Sequence, residues 1–313
     1  MKVLISLFIL LFSTLVQAQP LNKIVVFGDS LSDNGNLYKL YEIPSSPPYY
    51  KGRFSNGPIW AELLAKSYFP EKTNDHLLDY AFGGAAIIED DNDDLISLNF
   101  EISTYLGLHQ NKADENSLFI IWIGGNNYLI GPTDVEATLT NVNKGIRKGI
   151  SNLINAGAKH IMLVNLPDLG IAPEPFQKDY YSDNEIKVIR KQLSTYCRRH
   201  NELLAETVTE LKHSNPEIQW LYFDAASKFD EFLASPENYK ITNIKDACYK
   251  SSGVQSSKNY MLSLASQVKT QKITNNCEGY LFFDGVHPTT LAHVVIAQQA
   301  KAYLDAEGLE FGA

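Results

Sequence analysis

The feature that most constrains the fold is an alternation along the whole chain between short apolar runs and longer amphipathic runs. The apolar runs are rich in Val, Ile, Leu and Phe, which favour buried strands, and helical spacing follows them. Strands that alternate with helices are typical of parallel βαβ units, whose sheet is covered on both faces. The sequence therefore predicts a three-layer α/β/α domain with a mainly parallel central sheet. The predicted strands are residues 24–27, 77–82, 118–123, 160–165 and 218–223, and the predicted helices are 58–69, 135–156, 183–213, 225–233 and 289–306.

The first predicted strand runs directly into a polar turn that begins Gly28-Asp29-Ser30. A hydroxyl at the carboxyl end of a buried strand lies where open α/β sheets usually hold their ligands. Asp and Ser are also common helix caps, so the turn alone favours a structural role over a catalytic one. A nucleophilic serine needs a base that takes its proton and an acceptor that orients the base.

A short segment near the end of the chain, Asp284-Gly285-Val286-His287, contains both of these groups. Side chains three residues apart on a turn project to the same side, so one segment can supply the base and its acceptor. Two glycine-rich strand ends, at Gly83-Gly84 and at Gly124-Gly125-Asn126, are suited to an oxyanion hole, because glycine lets backbone N–H groups approach a ligand closely. Either glycine pair seen alone is compatible with a simple turn.

Together these four segments resemble the GDSL, or SGNH, family of serine esterases and lipases, in block order and in spacing. The resemblance implies an SGNH-hydrolase-like, flavodoxin-like fold and chemistry without a metal or other cofactor. It implies that Ser30 is the nucleophile, His287 the base and Asp284 the residue that orients the base. The N–H groups of Ser30 and Gly84 and the side chain of Asn126 would form the oxyanion hole. The chain departs from the family pattern at Asn127, where the family usually has Asp.

Three further segments (residues 33–36, 53–60 and 165–170) resemble the branch of secreted bacterial phospholipases A, lysophospholipases and glycerophospholipid:cholesterol acyltransferases. We therefore expect release of fatty acids from lysophospholipids or phospholipids, with acyl transfer where an alcohol replaces water. Two alternatives stay open: an esterase for acetylated carbohydrate, and a secreted lipid-binding protein without activity. Residues 38–54 are rich in Tyr and Pro and are a candidate wall of the binding site.

The first eighteen residues have the pattern of a secretory leader, with Lys2 before an apolar run and Val16-Gln17-Ala18 resembling a cleavage site. We expect residues 1–18 to be removed, residues 19–313 to form a single domain, and the protein to be exported to the periplasm or beyond. A formal net charge of -9 argues against a nucleic-acid partner. Residues 89–94 carry five acidic side chains without an EF-hand spacing, which favours a solvated loop over a calcium site.

Three cysteines allow one disulfide and one free thiol. Cys197 lies in a helical pattern, whereas Cys248 and Cys277 flank a loop-like segment and are the better pair. That segment has four lysines and an apolar stripe but no acid, so it could lie on a membrane or micelle surface as a lid over Ser30. A solvated loop stapled for stability explains the same pattern. The segment is also a candidate site for an activating protease.

Overall fold

A computed structural model describes residues 19–87, 96–173, 181–249 and 277–312 of the chain. The leader, the acidic segment and nearly all of the segment between Cys248 and Cys277 lie outside the described residues, so the predictions made for them stay predictions. No helix among the described residues is long and apolar enough to cross a membrane.

The core is a five-stranded parallel sheet in the order β2-β1-β3-β4-β5. The order in which strands are added to the sheet reverses at β1: β2 is added on one side of it, and β3, β4 and β5 follow on the other. Ligands of doubly wound sheets bind beside such a reversal, at the carboxyl ends of the strands. The strands are β1 (Lys23–Gly28), β2 (Leu77–Asp79), β3 (Ser117–Trp122), β4 (His160–Val164) and β5 (Gln219–Phe223).

Helices surround this sheet, and the longer ones follow the apolar spacing seen in the sequence. In α6 the apolar side chains Leu139, Val142, Ile146, Ile150 and Leu153 are buried at helical intervals. The helices are α1 (Asn36–Tyr41), α2 (Trp60–Tyr68), α3 (Thr73–His76), α4 (Leu98–Leu108), α5 (Gly125–Leu129), α6 (Val135–Asn155), α7 (Asp183–Ser214), α8 (Ala225–Ala234) and α9 (Thr290–Ala306), with 3-10 turns at Leu169–Ile171 and Pro236–Tyr239.

The predicted fold class is confirmed: all five predicted strands are present in a parallel sheet flanked by helices. One strand differs in length, because β2 ends at Asp79 whereas the prediction continued to residue 82. Residues 80–87 leave the sheet to form a loop beside Ser30. We call residues 81–87 the oxyanion loop.

A second, two-stranded sheet pairs β6 (Asn243–Ala247) with β7 (Tyr280–Phe282), and it was not predicted because β6 is polar and half exposed. A disulfide joins Cys248 to Cys277 directly beside this sheet, and Cys197 is a buried free thiol. The sheet packs in an apolar cluster that is separate from the main core. This position matters because β7 leads into Asp284 and His287.

Candidate active site

Three of the predicted site residues form a continuous hydrogen-bonded chain at the carboxyl end of β1. The Nε2 atom of His287 lies 2.9 Å from Oγ of Ser30, and its Nδ1 atom lies 2.6 Å from Oδ2 of Asp284. All three side chains are at most 3% exposed. A serine hydroxyl, an imidazole and a carboxylate in this order can transfer the hydroxyl proton to the imidazole.

The segment after β7 adopts a tight turn that its own aspartate stabilises. The Oδ1 atom of Asp284 accepts hydrogen bonds from the backbone N–H groups of Val286 (2.9 Å) and His287 (2.7 Å). The turn is closed by the N–H group of Phe283, which donates to the carbonyl of His287. One carboxylate therefore shapes the turn with one oxygen and orients the imidazole with the other.

The segment around His287 is also fixed to residues 55–60, which the sequence singled out without a role. The hydroxyl of Ser55 donates to the carbonyl of Pro288 at 2.9 Å. The Asn56 side chain accepts from the N–H group of Thr290 at 2.8 Å. In addition, Trp60 Nε1 donates to Oγ of Ser32, two residues after the serine. Residues 55–60 thus connect the turn of the nucleophile with the segment that carries the base.

Two aromatic residues that the sequence did not identify individually contact the triad. The Tyr49 hydroxyl donates a hydrogen bond of 2.7 Å to Oδ2 of Asp284. The ring of Phe54 lies 5.0 Å from that of His287, centroid to centroid. Both residues come from residues 38–54, the predicted wall of the binding site. A long Tyr- and Pro-rich loop was the available signal, but nothing in its pattern indicated which tyrosine would reach the aspartate.

The electrostatics of Asp284 favour its ionised form. Burial alone would raise the pKa of this carboxyl, but the charge and hydrogen bond of His287 and the hydrogen bond from Tyr49 outweigh burial and hold the pKa below its ordinary value. An ionised Asp284 stabilises the imidazolium that forms when His287 takes a proton.

A second acid, Asp29, precedes the nucleophile and is buried beside it. Burial raises the pKa of Asp29 to about 6, against a backbone hydrogen bond from Leu31 and the charge of His287. Behind it, the buried Glu101 accepts a hydrogen bond of 2.8 Å from the N–H group of Gly28. Neither acid was singled out as a site residue, because a single Asp or Glu in the sequence carries no signal of its burial.

Two of the predicted oxyanion donors belong to or contact the oxyanion loop: Gly84 lies within it and Asn126 is hydrogen-bonded to it. Gly84 has a φ of 78°, a left-handed conformation that favours glycine. The N–H group of Gly83 donates to Oδ2 of Asp33, which leaves Gly84 as the better candidate of the two glycines. The Asn126 side chain, at the start of α5, donates through Nδ2 to the carbonyl of Ala85 at 2.8 Å, and this bond orients its amide. The second proton of that amide is available to a ligand.

Asn127 has a structural explanation. Its Oδ1 atom accepts from the N–H group of Ile87 at 3.0 Å, and its Nδ2 atom donates to the carbonyl of Ile87 at 2.8 Å. An ionised aspartate could accept the first bond but could not donate the second. The amide at this position therefore pairs with both backbone groups of one residue of the oxyanion loop.

An apolar cavity opens at the triad and extends between the segments that follow β4, β5 and β7. The cavity and its open mouth together span about 1010 Å³ of non-protein space, which includes open solvent. The polar end contains Ser30, Asn126 and His287. The remaining wall is mainly aliphatic and aromatic and includes Leu129, Leu166, Leu169, Phe229, Phe232, Phe282, Val286, Ala292 and Val295. Among the described residues, no group of three or more His, Cys, Asp or Glu side chains is placed to hold a metal ion.

Comparison with known families agrees with this geometry. The sequence profile described as GDSL-like Lipase/Acylhydrolase matches residues 24–300. The chain belongs to this family. Membership makes it an esterase or lipase type of hydrolase, and it agrees with the parallel sheet flanked by helices.

Two curated relatives have names that describe lipid chemistry or haemolysis. The phosphatidylcholine-sterol acyltransferase of Aeromonas hydrophila is 32% identical, over 91% of this chain and 91% of its own length. The thermolabile hemolysin of Vibrio parahaemolyticus is 31% identical over 91% of this chain, which spans 64% of the hemolysin. Among solved structures, a carbohydrate acetylesterase family member from Sinorhizobium meliloti is similar at 14% identity and a TM-score of 0.47, over 91% of this chain and 98% of that one.

Proposed function

We propose that this GDSL hydrolase releases fatty acids from lysophospholipids or phospholipids through an acyl-Ser30 intermediate. The observation that carries the proposal is the apolar cavity, which begins at Ser30, Asn126 and His287. Burial of one CH₂ group is worth about 0.8 kcal/mol, so contact with these apolar walls stabilises a bound long acyl chain far more than a bound acetyl group. An acetyl esterase would not need these walls.

The chemistry uses the hydrogen bonds of the triad. His287 takes the proton of Ser30 Oγ through Nε2 as Oγ attacks the ester carbonyl, and Asp284 stabilises the imidazolium. The N–H groups of Ser30 and Gly84 and the amide of Asn126 donate to the oxyanion. When the tetrahedral intermediate collapses, the leaving alcohol receives the proton from His287, and Ser30 carries the acyl group. Water then attacks the acyl carbon and gives a proton to His287. When this second intermediate collapses, Oγ of Ser30 takes the proton back and the fatty acid is released.

Acyl transfer to an alcohol follows from the same residues. An alcohol that enters in place of water gives its proton to His287 and leaves as an ester. The Aeromonas relative carries the name of an acyltransferase to a sterol, which supports a sterol as the acceptor to test. The ratio of hydrolysis to transfer then depends on which acceptor occupies the mouth of the cavity.

We also propose that the substrate is taken from a membrane or micelle surface. Each helix of a βα unit starts at the carboxyl edge of the sheet, the edge that carries Ser30. Seven large apolar side chains are exposed among the described residues. All but Leu108 lie in the segments that leave the carboxyl edge of the sheet, either before a helix or within its first turns. A rim of this kind fits a lipid surface, and the net charge of -9 favours a zwitterionic one. The six are Leu40, Tyr41, Phe100, Ile130, Tyr181 and Val188.

Export completes the proposal. A disulfide such as Cys248–Cys277 persists in oxidising compartments, which supports export through the leader pattern of residues 1–18.

The lid and the activating protease stay hypotheses about the segment between those cysteines. Trimming residues 255–270 with both cysteines kept should change activity on micellar lipid relative to a soluble ester, and equal effects on both would reject the lid.

The deciding experiment measures product release from palmitoyl lysophosphatidylcholine, dipalmitoyl phosphatidylcholine and acetylated xylan, each with and without cholesterol. We expect fatty acid from the lipids, cholesteryl ester when cholesterol is present, and little acetate. Ser30→Ala should remove at least 99.9% of turnover, on the order of the loss seen when a triad serine is deleted. Activity confined to acetyl esters would replace the proposal with a carbohydrate esterase. Binding of lysolipid without turnover, and without Ser30-dependent labelling by a fluorophosphonate, would indicate a lipid-binding protein.

A further inference from the structure

Asp33, three residues after Ser30, is a fully buried carboxylate that the triad does not use. It accepts four backbone hydrogen bonds. Three come from the start of α1, and the fourth comes from Gly83 in the oxyanion loop, 50 residues further along the chain. The donors and distances are Gly35 (2.8 Å), Asn36 (2.6 Å), Leu37 (3.2 Å) and Gly83 (2.8 Å).

Asn36 makes a second connection between the same two segments. Its Nδ2 atom donates to the carbonyl of Asp79 at 2.9 Å and to the carbonyl of Ala81 at 3.0 Å. The turn that follows Ser30 is therefore hydrogen-bonded to Asp79 at the end of β2 and to Ala81 and Gly83 in the oxyanion loop. These bonds also give a role to residues 33–36, a motif that the sequence singled out and the triad leaves unexplained.

The oxyanion loop is held from the other side by α5, through Asn126 to Ala85 and through Asn127 to Ile87. Its fit against the protein is close. A Cβ atom added to Gly83 would lie 2.3 Å from the ring of Phe54, which itself packs on His287. The loop is therefore closely packed at Gly83. The hydrogen bond from Gly83 to Asp33 fixes the position of the residue next to Gly84.

We propose that Asp33, assisted by Asn36, is a positioning residue that sets the N–H group of Gly84 relative to Oγ of Ser30. It contacts neither substrate nor reacting atoms and acts through the oxyanion loop. Donors to an oxyanion act mainly in the transition state, where the oxygen carries its charge. Loss of Asp33 should therefore reduce turnover while ground-state binding is retained.

The charge state of Asp33 is consistent with this role. Burial raises the pKa of the carboxyl to about 6, and the backbone donors limit that rise. At neutral pH the group is an ionised acceptor, which makes the stronger type of hydrogen bond with N–H donors.

The test uses Asp33→Asn in the full chain with p-nitrophenyl butyrate, a soluble short-chain ester, so that it does not depend on which lipid is the natural substrate. The amide keeps the shape of the side chain but turns an N–H₂ group toward backbone donors. We expect kcat to fall roughly 10- to 100-fold, the scale of a small misplacement of catalytic groups, and KM to stay within about 3-fold.

Two inhibitors separate positioning from general damage. An alkyl trifluoromethyl ketone, which Ser30 adds to and converts to an oxyanion, should lose affinity by the same factor as kcat. An alkyl ether analogue without a carbonyl should bind as it does to the wild-type protein. Equal losses of affinity for both inhibitors, or an unchanged kcat, would overturn the proposal.

Asp114→Asn is the matched control. Its carboxylate shapes a similar turn, accepting from the N–H group of Asn116 and the hydroxyl of Ser117 at 3.0 Å each, but at the amino end of β3. It should leave kcat and both affinities unchanged.

If Asp33→Asn does not fold, Asn36→Ala tests the same positioning role through the affinities for the ketone and the ether analogue. The proposal rests on the roles proposed for Ser30 and Gly84, and activity in Ser30→Ala would reject those roles, whereas a silent Asp33→Asn rejects only the positioning role.

Discussion

The hydroxyl of Tyr49 and the imidazole of His287 donate to the same oxygen, Oδ2 of Asp284. The tyrosine is buried, 235 residues away in the sequence, and packs against Phe283 and Tyr249 beside the disulfide. The aspartate is thereby held by a side chain from a loop as well as by its own turn.

Replacing Tyr49 with Phe should lower kcat about 10-fold, because one charge-assisted hydrogen bond to Asp284 is worth about 1.5–3 kcal/mol. Loss of that bond should also raise the pKa of Asp284, because the bond from Tyr49 favours the ionised carboxylate. Steady-state kinetics with p-nitrophenyl butyrate measure the effect, and Tyr50→Phe is the neighbouring control. An unchanged kcat in Tyr49→Phe would show that His287 is oriented without it.

Replacing Asn127 with Asp should reduce the free energy of unfolding by about 1–3 kcal/mol, because the carbonyl of Ile87 loses its donor. Urea denaturation at pH 7 measures this change, and the exposed Asn74→Asp is the control for the added charge. Equal stability of the variant and the wild type would mean that the oxyanion loop adapts to the carboxylate usual in the family.

Filling the cavity should shorten the preferred acyl chain. Val295 lines the wall on α9, so Val295→Phe should reduce kcat/KM for palmitoyl esters at least 10-fold while butyryl esters are spared. Gln298→Phe adds the same ring to the exposed side of the same helix and serves as control. A parallel loss for both chain lengths would place the acyl chain outside this cavity.

The stability contributed by His200 should depend on pH. Burial lowers the pKa of His200 to about 4, and its Nδ1 atom lies 3.0 Å from the hydroxyl of Tyr128. Between pH 6.5 and 4 the unfolded chain binds a proton at this histidine that the folded chain does not, so the contribution is present above pH 6.5 and is lost as the pH falls.

Urea denaturation of wild type and His200→Gln at pH 7 and pH 5 tests this sign. The stability advantage of the wild type should shrink by roughly 2 kcal/mol between the two. The His213→Gln variant, at an exposed position of the same helix, is the control for the substitution itself. An advantage that is constant or grows at pH 5 would mean that His200 accepts a proton in the folded state.

Much of the fold was accessible from the sequence because it depends on short-range patterns. The five core strands are continuous apolar runs. The helices α6 and α7 have helical spacing and caps at Asp134 and Ser182, so the local sequence is sufficient to predict these elements. The small sheet was missed because β6 is polar and owes its pairing to β7 and the disulfide. Four helices were also missed. The helices α1, α3 and α5 have only four to six residues, too few for a periodic pattern, and α4 lacks a clear division into an apolar and a polar face.

The candidate site divides in the same way. Ser30, Asp284, His287, Gly84 and Asn126 lie in recognisable motifs. The structure joins Ser30, His287 and Asp284 by hydrogen bonds and places Asn126 in the same cavity wall as Ser30 and His287. Tyr49, Asp33 and Glu101 were given no individual role from the sequence, because their roles depend on contacts between segments 50 to 235 residues apart. A single sequence records the residue types but not those long-range contacts.

The docking of α9 onto residues 55–60 has a consequence for how activity arises during synthesis. Nucleophile and oxyanion donors all lie within residues 30–126, whereas the base arrives only when residues 287–293 reach Ser55, Asn56 and Trp60. A growing or truncated chain therefore holds a serine that nothing can deprotonate. The segment from His287 through α9 therefore determines when the candidate site becomes complete.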